Sequence, residues 1–453
     1  MDPYYFDYFC VYKSILRGYH VNRTWTVYLK HLIASQSFRF AMKIIILLSF
    51  CVLLTCGEQL TEYHEGNVQF TTNVYRELSK SRSGNILMCP LSVEITLAMV
   101  FLGATEETAR QLSVAASFPN NFEKVEEMFS EVIPQLESSD KYTFESANKI
   151  YVQDKFKIAE NYKDVVTNKF KSDIENIDFV NPTAAVVMNQ WVAKKTHNKI
   201  TKLINQDDLD SDSRLMLLNA MYFKGIWVNG FKESDTKVKP FFLNNTHYIN
   251  TDIMSNKGQY RYQHDRKLNA KFLEMKYKGD DVVMVIALPD NPEDLHKLED
   301  NLNQVLRTTF PHSARTVDVQ IPKFEVKDTI PFKTILKSIG AVLPFQNGAT
   351  FDRMKDATEL EPLKIAEVIQ KATIEVDEKG SVAAAATAVH MQIWRSARIL
   401  DFNFYANHPF IYFIKHTVAG ITFIGRYNAP EGPVHSGNYE PPIDPESARM
   451  VVL

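Results

Sequence analysis

The stretch that decides the fold begins at Ala372-Thr373-Ile374-Glu375-Val376, which alternates in the manner of a β-strand. Asp377-Glu378-Lys379-Gly380 follows and would normally turn the chain. The next residues form an uncharged run of small side chains without proline, Ser381-Val382-Ala383-Ala384-Ala385-Ala386-Thr387-Ala388-Val389. An alanine run ordinarily predicts a helix, because Ala is the best helix former. This run, however, has no polar face that would keep a surface helix soluble.

A second interpretation is that the run is a strand that has not yet joined its sheet. A peptide that slides between two existing strands needs small side chains, free backbone N–H groups and no charge, since proline and buried charges are costly there. With a period of two, one face would carry Ser381, Ala383, Ala385 and Thr387, and the other Val382, Ala384 and Ala386. The bulky and mixed residues from His390 to Arg398 are typical of an exposed recognition loop.

Composition excludes several classes of protein. The chain has 453 residues, and its 51 Lys+Arg against 54 Asp+Glu give a net charge of -3, so it lacks the basic excess of a nucleic-acid binder. Its hydrophobic fraction of 45% and charged fraction of 23% are ordinary for a globular protein. The 4 Cys are too few for a disulfide framework. Length alone suggests about three domains, but no linker interrupts Glu58 to Pro430, which favours one large domain over residues 58–430.

The N-terminal part predicts secretion. The apolar run from Ile44 to Thr55 follows Met42 and Lys43, and it is shorter than the roughly 20 residues that a membrane-spanning helix needs. We therefore predict a signal peptide over residues 42–57, a secreted, extracellular protein and no membrane association, with residues 1–41 as an upstream extension or a gene-model artefact. The alternative is a buried apolar segment in a cytosolic protein.

Two further features concern the mature chain. Asn244-Asn245-Thr246 is a glycosylation acceptor triplet at Asn244, which agrees with secretion. The segment from Glu431 to Arg449 is rich in Pro and Gly and has little apolar periodicity, so we expect residues 431–453 to be a disordered tail.

The predicted elements indicate an α+β domain with N-terminal helices and large mixed β-sheets. Helical spacing covers Val68 to Leu78, Leu91 to Leu102, Phe122 to Leu136 and Ala184 to Ile204. Strand patterns cover Arg214 to Phe223, Val282 to Leu288, Thr316 to Ile321, Ala372 to Val376, Phe410 to Ile414 and Ile421 to Tyr427. Several of these strands are apolar almost throughout, which predicts sheets covered on both faces.

Motifs of enzyme chemistry are missing from the sequence. It contains no G-x-S-x-G elbow, phosphate-binding loop, dinucleotide fingerprint or H-E-x-x-H motif, so we expect neither an enzyme, nor a cofactor, nor a metal site. A Ser-His-Asp triad built from distant segments stays open as an alternative, because such triads are recognised by geometry. Cys89 follows an apolar run and precedes Pro90, which favours a buried, inert thiol over a nucleophile.

Several segments, taken in order, resemble the serpin family over most of Glu58 to Pro430. They are Asn85-Ile86-Leu87-Met88-Cys89-Pro90-Leu91-Ser92, Leu102-Gly103-Ala104 with Thr108 and Gln111-Leu112, Asn189-Gln190-Trp191-Val192 with Thr196 and Lys199-Ile200, Leu218-Asn219-Ala220-Met221-Tyr222-Phe223-Lys224-Gly225 with Trp227, Lys371 through Thr387, His408-Pro409-Phe410 and Phe423-Ile424-Gly425-Arg426. The chain departs from the family pattern at Cys89, where serine is usual, and at Gln370, where many members have a histidine. A glutamine also donates and accepts hydrogen bonds, so we expect altered energetics of sheet opening without loss of function.

The resemblance implies a serine protease inhibitor that acts as a suicide substrate. A serine protease attacks an exposed reactive-centre loop and forms a covalent acyl complex, and the hinge of the loop then inserts into the main sheet. The hinge would comprise Glu378, Gly380, Ser381, Ala383, Ala384, Ala385, Ala386 and Thr387. By the same resemblance, Ser92 and Asn219 would lie in the shutter region where the sheet parts, and Trp227 where insertion begins.

The resemblance also implies which bond the protease attacks, because inhibitory serpins usually place the residue before the scissile bond sixteen positions after the hinge glutamate, and sometimes seventeen. Sixteen and seventeen positions after Glu378 stand Trp394 and Arg395. Trp394 would suit a hydrophobic pocket, whereas Arg395 would suit a trypsin-like pocket with an acidic base. Arg395-Ser396 also resembles the Arg-Ser bond common in the family. We favour Arg395 as the residue before the scissile bond, with Trp394 and Arg398 as alternatives.

A non-inhibitory serpin that acts as a carrier or chaperone is the rival interpretation. Such members tend to have charged, bulky or proline residues in the hinge, whereas Ala383 to Ala386 are all small. We also expect a monomer. A strong heparin site is not expected, because Lys124 is the only basic residue from Phe122 to Glu137.

Overall fold

The computed structural model describes residues 60–136, 141–209, 213–279, 281–378 and 402–441. The predicted N-terminal extension, the signal peptide and the loop that contains the hinge after Glu378 lie outside the described residues.

Helices dominate the N-terminal third. They are α1 (60–81), α2 (Pro90–Gly103), α3 (Glu106–Ala116), α4 (Phe122–Val132) with a 3₁₀ turn at Ile133–Leu136, α5 (Glu160–Asp164) with a π turn at Val165–Lys169, and α6 (Ala184–Lys195). Shorter helices follow later, namely α7 (Leu295–Asp300), α8 (Leu302–Leu306) and α9 (Lys333–Ser338). Every residue of α2 is buried, and Pro90 occupies its first turn, where a missing N–H costs nothing. α2 is therefore the central helix of the core.

One sheet, which we call the main sheet, has the strand order β10-β11-β4-β2-β3. Its strands are β2 (Tyr142–Gln153), β3 (Asp173–Ile177), β4 (Leu215–Gly225), β10 (Phe324–Pro331) and β11 (Ile365–Val376). β11 and β4 pair in parallel, while their other neighbours, β10 and β2, pair with them antiparallel. The first nine residues of β4 are all buried, so both faces of this strand are covered.

A larger sheet has the order β1-β14-β13-β8-β7-β6-β9-β12, and β5 and β15 also pair with β6. Its strands are β1 (Ile86–Met88), β5 (Lys237–Phe242), β6 (His247–Asp265), β7 (Ala270–Lys276), β8 (Val282–Pro289), β9 (Arg315–Pro322), β12 (Phe402–Tyr405), β13 (Phe410–His416), β14 (Gly420–Tyr427) and β15 (Val434–Ser436). All residues of β14 are buried. The predicted α+β class with large mixed sheets is confirmed, as are the strand segments predicted from the sequence.

The prediction of one continuous helix from Ala184 to Ile204 is wrong beyond Lys195. The Thr196 hydroxyl donates to the Val192 carbonyl at 2.8 Å and accepts the Ile200 N–H at 3.1 Å, so it ends the helix in a turn. His197 and Asn198 have positive φ angles of 47° and 61°. The apolar spacing persisted because Ile200 and Ile204 are buried in the same core cluster as the helix.

The prediction of a disordered tail from residue 431 is also wrong as far as residue 441. Val434–Ser436 form β15, which pairs antiparallel with His247, Tyr248 and Ile249 of β6. The start of β6 has free backbone groups on this edge, because its pairing with β9 begins only at Ile253. Backbone hydrogen bonding there orders a segment that lacks apolar periodicity.

Candidate functional site

The seam between β11 and β4 is the central feature of the main sheet. The register runs from Ile365 opposite Leu215 to Ile374 opposite Phe223. β11 ends at Val376, so Asp377 and Glu378 lie beyond the strand at this end of the seam. A chain that turned back from this point into the seam would run antiparallel to both strands, and could pair with each of them.

A buried polar cluster, which we call the shutter cluster, lies midway along the seam. It consists of Ser92 of α2, Asn148 of β2, Asn219 of β4 and Gln370 of β11. The Asn219 Nδ2 donates to Asn148 Oδ1 at 2.6 Å and to the Ser92 carbonyl at 2.8 Å. The Ser92 hydroxyl donates to Asn148 Oδ1 at 2.9 Å. The sheet is thereby tied to the central helix beneath it.

Gln370 has partners for both ends of its amide. Its Nε2 donates to Asn219 Oδ1 at 2.7 Å and to the Cys89 carbonyl at 2.8 Å. Its Oε1 accepts the Cys89 N–H at 2.8 Å. Gln370 is 0% exposed, so these hydrogen bonds, including the one across the seam to Asn219, are shielded from water.

Cys89 is buried, as the sequence predicted. Burial raises the pKa of its thiol far above the usual range. The thiol is therefore protonated and unreactive, and this residue serves the cluster through its backbone.

A second group of polar contacts, which we call the breach cluster, lies where β11 ends. The Trp227 indole N–H donates to the Asp377 carbonyl at 3.1 Å, and its ring stacks on Tyr277 with centroids 4.1 Å apart. Lys224 contacts the carboxylates of Glu375 at 2.7 Å and Asp377 at 2.8 Å. These contacts bind the end of β11 to the end of β4 and the turn after it.

Glu378, the predicted start of the hinge, belongs to the same cluster. Its carboxylate lies 2.9 Å from Lys323 Nζ and accepts a hydrogen bond from the Thr236 hydroxyl at 2.9 Å. The Glu378 side chain is 6% exposed, against 45% for Lys323. The first hinge residue is therefore held by an ion pair that is buried on one side only.

The segment after α6 crosses the outer face of the seam. Lys199 Nζ lies 3.6 Å from Glu375 and 4.7 Å from the centroid of the Tyr222 ring. The Tyr222 hydroxyl also donates to Glu375 at 3.0 Å. Further along, Lys371 Nζ donates to the Lys202 carbonyl at 2.7 Å. A strand entering the seam would have to displace these contacts.

The structure brings Ser92 and Asn219 together in the shutter cluster, and Trp227 and Glu378 in the breach cluster. Asn244 lies in the turn between β5 and β6, where its Oδ1 accepts the N–H groups of Thr246 and His247, each at 2.9 Å. The other predicted loop residues fall outside the described residues, namely Gly380, Ser381, Ala383, Ala384, Ala385, Ala386, Thr387, Trp394, Arg395, Ser396 and Arg398.

Sequence reasoning missed the partners that complete both clusters. Asn148, Lys323 and Thr236 carry no local motif, and their partners are far away in the sequence. The Glu378 and Thr236 positions, for example, are 142 residues apart. Only the alternation of Tyr142–Gln153 could have indicated that Asn148 lies on a strand.

Within the described ranges, no group of three or more His, Cys, Asp and Glu side chains is arranged to hold a metal ion. Among the same residues, no helix combines the length and the apolar character that crossing a bilayer requires.

The described residues form an α+β domain whose main sheet has a parallel seam, with a buried polar cluster beneath the seam and an ion pair that holds Glu378 at its end. Comparison with known proteins identifies the family. The profile of the serpin (serine protease inhibitor) family matches residues 65–430, and the chain belongs to this family.

Relatives of known name and structure agree with that assignment. Antichymotrypsin-2 of Bombyx mori is 34% identical over 355 residues, which cover 77% of this chain and 94% of the relative. Human Serpin B4 is 31% identical over 389 residues, covering 81% and 99%. The crystal structure of Serpin48 from Tenebrio molitor superposes with a TM-score of 0.74 at 30% identity, covering 82% of this chain and 99% of that chain.

Proposed function

We propose that the protein inhibits a trypsin-like serine protease as a suicide substrate, with Arg395-Ser396 as the bond that the protease attacks. The observation that carries this proposal is the parallel β11–β4 seam beside the point where the hinge leaves β11. A bound guanidinium would form a charge-assisted pair with the acidic base of a trypsin-like pocket.

The chemistry starts as an ordinary cleavage. The protease serine oxygen attacks the Arg395 carbonyl carbon, and the C–N bond to Ser396 breaks as the leaving amine takes a proton. Arg395 is then an ester on the protease, and the chain from the hinge to Arg395 has lost its attachment to β12. Hydrolysis of the ester would release the protease, so the inhibitor must move first.

The motion is insertion of the freed chain between β11 and β4. The inserted strand exchanges one ladder of hydrogen bonds for two, because it pairs with a strand on each side. Small residues from Ala383 to Ala386 can pass the buried faces of the sheet. The attached protease is carried along by its ester bond. The bond between Gln370 and Asn219 and the bonds of Glu375 with Tyr222 and Lys224 must break on the way.

Incubation with trypsin tests the proposal. We expect a complex that survives SDS, together with a released peptide that begins at Ser396 and is identified by mass. Arg395→Ala should abolish the complex with trypsin, while Arg398→Ala, the matched control in the same loop, should leave it intact. Complex formation by Arg395→Ala but not by Trp394→Ala or Arg398→Ala would move the bond to one of those residues. Clean cleavage of the unaltered protein without any complex would instead support the non-inhibitory alternative of a carrier or chaperone.

We further infer that the protein is a secreted monomer, glycosylated at Asn244, that needs no cofactor. The apolar segment over residues 42–57 supports secretion, and the position of Asn244 in a hairpin turn supports access for the glycosyl transferase. Expression in eukaryotic cells tests both points. The secreted chain should begin near Glu58, and Asn244→Gln should lower its mass by one glycan.

A further inference from the structure

The C-terminal segment 431–441, which we call the C-terminal strap, lies beyond the part of the chain that the family profile matches. Its strand β15 extends the edge of β6. The Gly437 N–H donates to the Thr246 carbonyl and the Tyr439 N–H to the Asn245 carbonyl, each at 2.9 Å. The strap therefore follows the β5–β6 hairpin around its turn.

Tyr439 fixes the strap to two other parts of the larger sheet. Its ring lies edge-on to Phe242, the last residue of β5, with centroids 5.2 Å apart, and to His408 at 5.4 Å. His408 is itself anchored, because its Nε2 lies 2.7 Å from the Pro289 carbonyl oxygen. The Phe242 N–H donates to the Asn407 carbonyl at 2.7 Å. Tyr439 thus covers the junction between β5 and the segment that follows β12.

β12 is where the reactive loop ends. It pairs in parallel with β9 over four positions, Phe402 to Tyr405, and among the described strands it has no other partner. Tyr405 and Tyr439 also line one cavity of about 190 Å³. The strap and the last residue of a short edge strand therefore face the same cavity.

An uncut loop is held at both ends, by β11 and by β12. Drawing the loop into the seam pulls on β12, and full entry is possible only when β12 gives way. A four-residue edge strand with one partner is the weaker of the two attachments, because few hydrogen bonds hold it. Any contact that stiffens the β12 region therefore opposes premature insertion.

We propose that the C-terminal strap braces the anchor of the loop at β12 through Tyr439, and so lengthens the life of the uncut, loop-exposed protein. This rests on the proposed function, since it assumes a loop able to enter the seam. Without the contacts of Tyr439, β12 detaches more often, and the uncut loop inserts into the seam before any protease has bound.

Tyr439→Ala in the full chain tests the brace, with Asn438→Ala, an exposed strap residue, as the matched control. Hydrogen exchange of the amides at 402–408 should be at least threefold faster in Tyr439→Ala and unchanged in Asn438→Ala. A chain that ends at Pro430 should show the same increase. Equal exchange in Tyr439→Ala and the unaltered protein would overturn the proposal.

The second measurement is the fraction of protein that still forms an SDS-stable complex after days at 37 °C, with intact mass showing that the loop is uncut. Tyr439→Ala should lose this capacity at least threefold faster, and an unchanged lifetime would refute the regulatory role even if exchange were faster. Failure of the unaltered protein to form any complex at the start would count against the proposed function, whereas the exchange experiment would still decide whether the strap braces β12.

Discussion

Gln370 of β11 and Asn219 of β4 stand directly opposite each other in the parallel register, and the Gln370 Nε2 donates to Asn219 Oδ1 at 2.7 Å. Both residues are 0% exposed. This side-chain bond adds to the backbone ladder between the two strands that, in the proposed mechanism, separate for a third strand to enter. The residues at the centre of the seam therefore set how readily the sheet opens.

Replacing Gln370 by Ala leaves the Cys89 backbone groups and Asn219 Oδ1 without their partner. A buried polar group that loses its hydrogen bond costs about 1–3 kcal/mol, so we expect the free energy of unfolding to fall by about that amount. Urea unfolding of the uncut protein measures it. Gln370→His, which keeps a donor and an acceptor, should lose less; equal losses for the two variants would contradict the account.

Thr373→Val, unlike Gln370→Ala, should not lower the stability of the protein. The Thr373 hydroxyl oxygen is buried and has no hydrogen-bond partner among the described residues. Removing an unsatisfied buried hydroxyl and keeping the shape is neutral or stabilising, so the urea midpoint should stay or rise. Thr373→Ser keeps the hydroxyl and loses a methyl group, and its midpoint should fall. The reverse order would show that the hydroxyl is in fact hydrogen-bonded.

Glu378→Gln should weaken the hold on the hinge. Although burial alone would raise the pKa of Glu378, its bonds with Lys323 and Thr236 lower the pKa below the usual value. The ionised group therefore contributes stability at neutral pH, and this contribution is lost as the pH falls below about 4.3. We expect Glu378→Gln to unfold at a lower temperature at pH 7.

The same comparison at acidic pH supplies the control for Glu378→Gln. The difference in melting temperature between this variant and the unaltered protein should stay constant from pH 7 down to about pH 4.3 and shrink at lower pH. A difference that does not shrink below about pH 4.3 would mean that the charge on Glu378 does not stabilise the protein.

The contribution of Glu94 of α2 to stability should depend on pH in the opposite sense to that of Glu378. It is 1% exposed, and its Oε2 accepts a hydrogen bond from Asn67 at 2.8 Å. Burial raises the pKa of Glu94 to about 8. The folded state holds the Glu94 proton more tightly than the unfolded chain does. Protonated Glu94 therefore contributes to the stability of the folded state, in full below about pH 4.3, and this contribution is lost as the pH rises through about 8.

Glu94→Gln removes that proton equilibrium. The stability of the unaltered protein relative to Glu94→Gln should therefore decline from pH 5.5 to pH 8.5, as measured by urea midpoints in buffers of one ionic strength. A difference that stays flat, or rises with pH, would show that Glu94 is ionised in the folded protein.

Ala384→Asp tests the need for small, neutral side chains in the hinge. A carboxylate carried into the sheet has to lose its water, so insertion slows and hydrolysis of the ester competes better. We expect several molecules of inhibitor to be consumed for each protease blocked, and more cleaved loop without complex on SDS gels. Ala384→Ser should resemble the unaltered protein. Indistinguishable stoichiometries for Ala384→Asp and Ala384→Ser would argue against insertion of this segment.

Much of the fold could be predicted from the sequence, because strand and helix periodicity are local. The apolar strands at Leu215–Gly225 and Gly420–Tyr427 were visible as runs. The end of α6 could not be predicted from periodicity, because Ile200 and Ile204 continue the apolar pattern although the Thr196 hydroxyl ends the helix. The strand β15 could not be predicted either, because it is held by backbone hydrogen bonds to β6 and by the contacts of Tyr439.

The amino-acid sequence by itself determined which segment of this protein is small, uncharged and free of proline, because those properties belong to single residues. The sequence alone did not determine between which strands of the sheet that segment could insert. The pairing of Gln370 with Asn219 joins residues 151 positions apart, and the contact of Glu378 with Lys323 depends on how separate strands are placed. Only the tertiary structure decides such contacts, since neither partner leaves a periodic trace in the chain around it.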